Sequence, residues 1–305
     1  MPTVRYHRVD VFTEVPFSGN PLAVFPEGDG LDARTMQAIA REMNLSETVF
    51  CVRPSEREAA VRLRIFTVDR ELPLAGHPTV GTLFVLAATG RIPLHGARTE
   101  VKVQLGAGVL PVAIHADQGT VKSVTMTQRT PAFGLAVRDR EFVARALGVR
   151  PEQIGPGELP IRVVDVGVPW LLVPMIDLRA LRNLQPDPTL CREVARIAGT
   201  DFFYVFTQET DDPGCAAHAR HAWYGVGTPG EDPVTGSAAG CLASYLVLES
   251  VLLAAPTAEL RIEQGAEVGR PGQITAIVDA DGTRVRRVQV GGAAVHLGDG
   301  ELWLS

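Results

Sequence analysis

The chain has 305 residues, enough for two domains with substantial cores, and its 46% hydrophobic and 21% charged residues are those of a soluble globular protein rather than a disordered one. Its 29 basic and 35 acidic side chains give a net charge of −6, which argues against nucleic acid or an anionic membrane surface as a partner. No stretch reaches the roughly 20 apolar residues of a membrane span, and the opening segment Met1-Pro2-Thr3-Val4-Arg5-Tyr6-His7 lacks a signal peptide's apolar core, so the expected location is cytoplasmic.

Alternation at Val9 and Val11, then at Leu22 and Val24, predicts two strands joined through the turn Phe17-Ser18-Gly19-Asn20-Pro21. A helix follows, with Leu31, Met36, Ile39, Ala40 and Met43 at helical spacing behind the N-cap Asp32. Residues 47–53 and 61–67 are rich in β-branched and aromatic side chains and read as strands, so Glu47 stands where a helix has ended and a strand begins. After Gly76 the run Val80, Leu83, Phe84, Val85, Leu86, Ala87 and Ala88 has almost no polar side, the pattern of a helix buried all round. Strands are expected over 101–114 and 121–127, and Gln128-Arg129-Thr130-Pro131 as the crossing from one half to the other. Helices resume over 138–147, with Phe142, Val143, Ala146 and Leu147 as the apolar stripe. Another starts at Asp187-Pro188 and stops before Gly199, with Leu190, Val194 and Ile197 as its buried face. A second all-apolar helix covers 242–248, and two fully wrapped helices imply two sheets, each curled around its own. The last sixty residues return to strands, including 274–278 and 285–290 around the turn Asp279-Ala280-Asp281-Gly282. Alternation there puts Arg284 and Arg286 on one solvent-facing side. Cys51, Cys191, Cys215 and Cys241 are scattered with no C-x-x-C pair, which predicts buried reduced thiols rather than a zinc site or a disulfide framework.

One pattern occurs twice. Glu71-Leu72-Pro73-Leu74-Ala75-Gly76-His77 and Glu231-Asp232-Pro233-Val234-Thr235-Gly236-Ser237 each run from an acidic residue through a glycine into an apolar helix, 160 residues apart. The repeat predicts two related halves, each presenting a helix N-terminus to a shared cleft, where free backbone N–H groups and the positive end of the dipole suit a carboxylate. Glu47, among Leu45, Val49 and Phe50, is either a desolvated general acid/base or a carboxylate that caps a turn or pairs with Arg41. His77, at a helix start that favours the neutral imidazole, either bonds a substrate and relays a proton or caps its own helix. Asp232 is either an N-cap or an acceptor for a substrate amine or hydroxyl, and the Ser237 hydroxyl is placed to reach the anion that the Gly76 and Gly236 amides hold. Trp170 either lines the second half's cleft or fills its core, and the core is the expectation. The passage Gly236-Ser237-Ala238-Ala239-Gly240 lacks both the G-x-S-x-G order of a nucleophile elbow and a Walker lysine.

The order of Phe17-Ser18-Gly19-Asn20-Pro21-Leu22-Ala23-Val24-Phe25, Leu45-Ser46-Glu47-Thr48, Arg64-Ile65-Phe66-Thr67, Glu71-Leu72-Pro73-Leu74-Ala75-Gly76-His77-Pro78, Glu231-Asp232-Pro233-Val234-Thr235-Gly236-Ser237-Ala238-Ala239-Gly240 and Gln264-Gly265-Ala266-Glu267-Val268-Gly269-Arg270-Pro271 closely resembles the PhzF family of phenazine-biosynthesis-like isomerases. The resemblance implies a diaminopimelate-epimerase-like α+β fold of two pseudo-repeated halves, 1–127 completed by the strand near 294–305, and 128–293, with the active site in the cleft between them. It further implies a homodimer, no cofactor and no metal. The reaction it implies is isomerisation of a small cyclic or unsaturated amino or hydroxy acid such as trans-2,3-dihydro-3-hydroxyanthranilate. In it Glu47 would be the proton shuttle, His77 and Asp232 would assist, and Ser237 with the Gly76 and Gly236 amides would hold the carboxylate. Amino-acid racemases and epimerases of the wider superfamily carry a cysteine before each helix-start glycine, where this chain has Ala75 and Thr235. That substitution disfavours epimerisation, and the retained acid/base residues disfavour a non-catalytic binding protein.

Overall fold

In the computed structural model, which describes residues 3–155, 157, 159–223, 231–253 and 256–304 apart from the side chains of Leu135 and Trp223, the chain divides into two units. One is Met1–Thr127 with Gly291–Ser305, the other Gln128–Val290.

The first unit opens with β1 (Thr3–Val11), β2 (Asn20–Phe25), α1 (Ala33–Met43), β3 (Glu47–Val52), β4 (Val61–Phe66) and the two-residue β5 (Glu71–Leu72). It continues through α2 (Gly76–Ala88), β6 (Arg98–Leu105), β7 (Gly108–Asp117) and β8 (Thr120–Thr127). Strand β1 is antiparallel to β2, β2 parallel to β3, β3 antiparallel to β4, β4 parallel to β6, and β6 antiparallel to β7.

The second unit contains β9 (Ala132–Val137), α3 (Arg140–Leu147), β10 (Ile161–Asp165), β11 (Pro169–Pro174), α4 (Leu178–Arg182) and α5 (Pro188–Ala198). Then come β12 (Phe203–Thr207), β13 (Ala217–Trp223), α6 (Gly236–Leu248), β14 (Thr257–Gln264), β15 (Gly272–Asp281) and β16 (Arg284–Gly292). The last strand, β17 (Ala294–Trp303), returns to the first unit and lies antiparallel to β1, from Thr3 opposite Trp303 to Val11 opposite Ala294. In the second unit β9 is antiparallel to β10, β10 antiparallel to β11, β11 parallel to β12, β12 antiparallel to β13, β13 parallel to β14, and β14 antiparallel to β15. With β17 beside β1 as β9 is beside β10, both units follow the same alternation of directions. Parallel neighbours need a crossover connection, and the longest crossover in each unit contains the central helix, α2 or α6.

Both central helices have 13 residues and start at glycine. In α2 every residue from His77 to Ala87 except Phe84 is buried, and the helix touches β1, β2, β3, β7, β8 and β17. Helix α6 is buried from Ala238 to Val247 and packs on β10, β11 and β15. A sheet wraps each helix because neither has a polar side to offer water. Closeness of approach explains Gly81: a Cβ there would stand 2.6 Å from Val11 Cγ2 and 2.7 Å from Leu22 Cδ2.

Helix α5 has the expected ends. Asp187 accepts the Thr189 and Leu190 N–H groups, and Gly199 adopts φ 74°. Its buried face, however, runs through Cys191, Val194 and Ala195, while Ile197 is 56% exposed. The small side chains of Cys191 and Ala195 let α5 lie close to α3, where the Cys191 thiol donates to the Ala146 carbonyl at 3.2 Å. All four thiols are buried and reduced. Arg286 and Arg287 face solvent and pair with Asp281 and Asp279. Among the described residues no helix is long and apolar enough to cross a membrane.

Candidate active site

Helices α1, α3, α4 and α5 each begin at an aspartate whose carboxylate accepts a first-turn N–H: Asp32, Asp139, Asp177 and Asp187. The two central helices break this rule. Their N-cap residues, Ala75 and Thr235, make no side-chain cap bond. Both first turns therefore keep the positive end of the dipole uncompensated by a capping carboxylate.

In the first unit, Glu47 is placed by two local features. Asn44 ends α1 in the left-handed region at φ 50°, and three residues later Glu47 opens β3, opposite Leu22 of the parallel strand β2. His77 is the second residue of α2, and its Nε2 lies 3.3 Å from Glu47 Oε2. The His77 side chain is 6% exposed and that of Glu47 16%. Burial lowers the imidazole to about 3, so the ring is neutral near pH 7. A carboxylate against a neutral imidazole at this distance is a pair through which a proton can pass. Arg41, the alternative partner for Glu47, instead donates its Nε–H to the Val68 carbonyl at 3.1 Å. Thus Glu47, Gly76 and His77 come together on one unit.

On the second unit Asp232, Gly236 and Ser237 share a neighbourhood. The Thr235 hydroxyl donates to Asp232 Oδ2 at 2.5 Å. Gln264, at the end of β14 and 1% exposed, fastens the helix entry. Its Oε1 accepts the Thr235 N–H at 3.0 Å and the Tyr204 hydroxyl at 2.9 Å, and its Nε2 donates to the Asp232 carbonyl at 2.8 Å. Trp170 is 4% exposed, as expected of a core residue, yet its indole N–H donates to Ser237 Oγ at 3.1 Å and so fixes a site hydroxyl. Neither Gln264 nor Tyr204 carries a site signal of its own in the sequence. Gln264 lies in a recognisable motif, whereas Tyr204 carries no signal beyond strand patterning.

The two units hold these segments by the same device. Arg64 of β4 forms a two-pronged pair with Glu71, at 2.8 and 2.6 Å, and Arg220 of β13 does so with Glu231, at 3.0 and 2.8 Å. Bidentate guanidinium–carboxylate pairs fix geometry as well as charge. Each glutamate lies four residues before the N-cap of its central helix. Arg64 stands opposite Phe50, six residues past the left-handed Asn44, and Arg220 opposite Val205, six past the left-handed Gly199. By that correspondence Phe202 occupies the place of Glu47 and Ser237 the place of His77. Phe202 packs on Trp170 with ring centroids 5.0 Å apart. The repeat is preserved in backbone and anchors, while among the described residues the carboxylate–imidazole contact of the first unit has Phe202 and Ser237 at the corresponding places of the second.

The family model for phenazine biosynthesis-like proteins matches residues 9–300. An uncharacterized isomerase of Mesorhizobium japonicum is 36% identical, with 100% of both chains covered. The trans-2,3-dihydro-3-hydroxyanthranilate isomerase of Pseudomonas aeruginosa is 33% identical over 98% of this chain and 99% of its own. Among solved structures, a PhzF family phenazine biosynthesis protein of Bacillus anthracis superposes with a TM-score of 0.88 at 28% identity, covering 100% of both chains.

Proposed function

Since the chain belongs to the phenazine biosynthesis-like PhzF family of isomerases, we propose that it moves a proton between carbons of a small cyclic or unsaturated amino or hydroxy acid, using its own side chains as general acid and base. Glu47 takes the proton and returns it to another carbon of the conjugated system, with His77 as its neutral partner. The Gly76 amide in the first unit, and the Gly236 amide with the Ser237 hydroxyl in the second, are each suited to a carboxylate, and Asp232 to an amine or hydroxyl. The observation that carries this reading is the buried Glu47–His77 pair, 3.3 Å apart, beside an uncapped helix start. A positioned acid/base contributes about a hundred- to ten-thousandfold, and orientation of the substrate supplies much of the rest.

Epimerisation by paired thiols is not available. Ala75 and Thr235 stand before the helix-start glycines, and burial raises all four thiols, Cys215 to about 11 and Cys51 and Cys191 to about 12. A cytoplasmic homodimer completes the proposal; a solution mass of twice 32.7 kDa is expected, and a mass of 32.7 kDa would refute the dimer.

The test is incubation of purified protein with trans-2,3-dihydro-3-hydroxyanthranilate and related cyclohexadiene acids, followed by absorbance and proton NMR. Relocation of a ring proton by the wild type supports the reading. No turnover across the panel, with the acids nonetheless bound, would replace it with that of a binding protein.

A further inference from the structure

A second constellation stands apart from the acid/base residues, on the paired terminal strands β1 and β17. His7 Nδ1 lies 2.5 Å from Asp299 Oδ1, and His296 Nε2 lies 2.8 Å from the same oxygen. One donor atom from each of the three residues falls within 4.8 Å of the other two. The two rings are tilted by 57° to one another, with centroids 5.5 Å apart.

Strand geometry alone would not bring these side chains together. His7 and Asp299 are directly paired across the two strands and so share a face. His296, three residues before Asp299 on the same strand, would ordinarily point to the opposite face, because side chains alternate with a period of two. Between Arg8 and Val9 the register shifts: Arg8 pairs with Gly298 but Val9 with His296, leaving Leu297 as an extra residue. Such a bulge re-aims the side chains beyond it, and here it rotates His296 onto the face that carries His7 and Asp299.

We propose that His7, His296 and Asp299 form a binding site for a divalent transition-metal ion of the zinc class, tying the C-terminal strand to the N-terminal one. Two imidazoles and one carboxylate are a donor set such ions prefer over magnesium or calcium, which favour all-oxygen sites. In a tetrahedral site with bonds of about 2.0–2.1 Å, donors stand roughly 3.3 Å apart. The three atoms reach that spacing by small side-chain rotations, which the 43% exposure of His296 and 64% of Asp299 permit. His7, 17% exposed, is the fixed member. Three ligands leave the remaining coordination positions to water, and the ion exchanges with solvent.

Titration of the full chain with Co2+ and Zn2+ tests this by visible absorbance, calorimetry and thermal unfolding. Wild type should bind one ion with a cobalt d–d spectrum and a higher Tm. His296→Ala and Asp299→Asn, both at exposed positions, should each weaken binding at least tenfold and abolish the Tm rise. Wild type that binds no ion at millimolar metal, or binding left unchanged in both variants, would overturn the proposal.

Discussion

Gln264 gives the sharpest stability prediction. Replacing it with leucine keeps the approximate volume and removes four hydrogen bonds: to the Tyr204 hydroxyl, the Thr235 N–H, the Thr235 hydroxyl and the Asp232 carbonyl. The Thr235 hydroxyl retains Asp232 as a partner and Asp232 is only half-buried, but the Tyr204 hydroxyl and the Thr235 N–H lose this bond where Tyr204 is fully buried and Thr235 is 7% exposed. A buried polar group left without a partner costs about 1–3 kcal/mol, so Gln264→Leu should lose on the order of 4 kcal/mol after the gain from the added apolar surface. Tyr204→Phe removes a single hydroxyl and leaves Gln264 Oε1 bonded to Thr235, so it should cost about 1 kcal/mol. Urea unfolding of both variants and the double variant measures the difference, provided the m-values agree. A Gln264→Leu loss no larger than that of Tyr204→Phe would refute the assignment of Gln264 as the residue that fastens the entry to α6.

His77, lowered by burial to about 3 against an ordinary 6.5, takes a proton more readily in the unfolded chain. Its contribution to stability is therefore complete above about pH 6.5 and is lost as the pH falls toward 3, at about 1.4 kcal/mol per unit. Urea midpoints between pH 7 and 4 should fall less steeply for His77→Asn than for wild type, and equal slopes would contradict the buried neutral imidazole. Gly81→Ala should destabilise by about 1–2 kcal/mol, because overpacking against Val11 and Leu22 exceeds the roughly 1 kcal/mol that alanine gains in a helix. A rise in Tm for that variant would mean the helix does not approach its sheet so closely.

Local signals in the sequence proved readable where physics is local. The all-apolar runs after Gly76 and Gly236 marked the two wrapped helices, and Asp32 and Asp187 marked helix starts, because caps and burial stripes act within a turn or two. Ile197 was misplaced because hydrophobicity ranks it above Cys191 and Ala195, whereas close packing on α3 selects the smaller side chains. Glu47 and His77 were legible as separate residues at a strand start and a helix start. Their 3.3 Å approach depends on how β3 and α2 pack, which no spacing records. The same holds for the link from Trp170 to Ser237 and for the bulge at Leu297, both products of contacts between distant segments.

The most direct test of the proton-transfer account is the turnover of a processed acid by Glu47→Gln, measured together with its affinity for that acid. Glutamine keeps the shape and removes the ability to carry the proton. The account predicts a folded protein that binds the acid comparably but turns it over about a hundred- to ten-thousandfold more slowly. A near-normal rate at saturating substrate would contradict it.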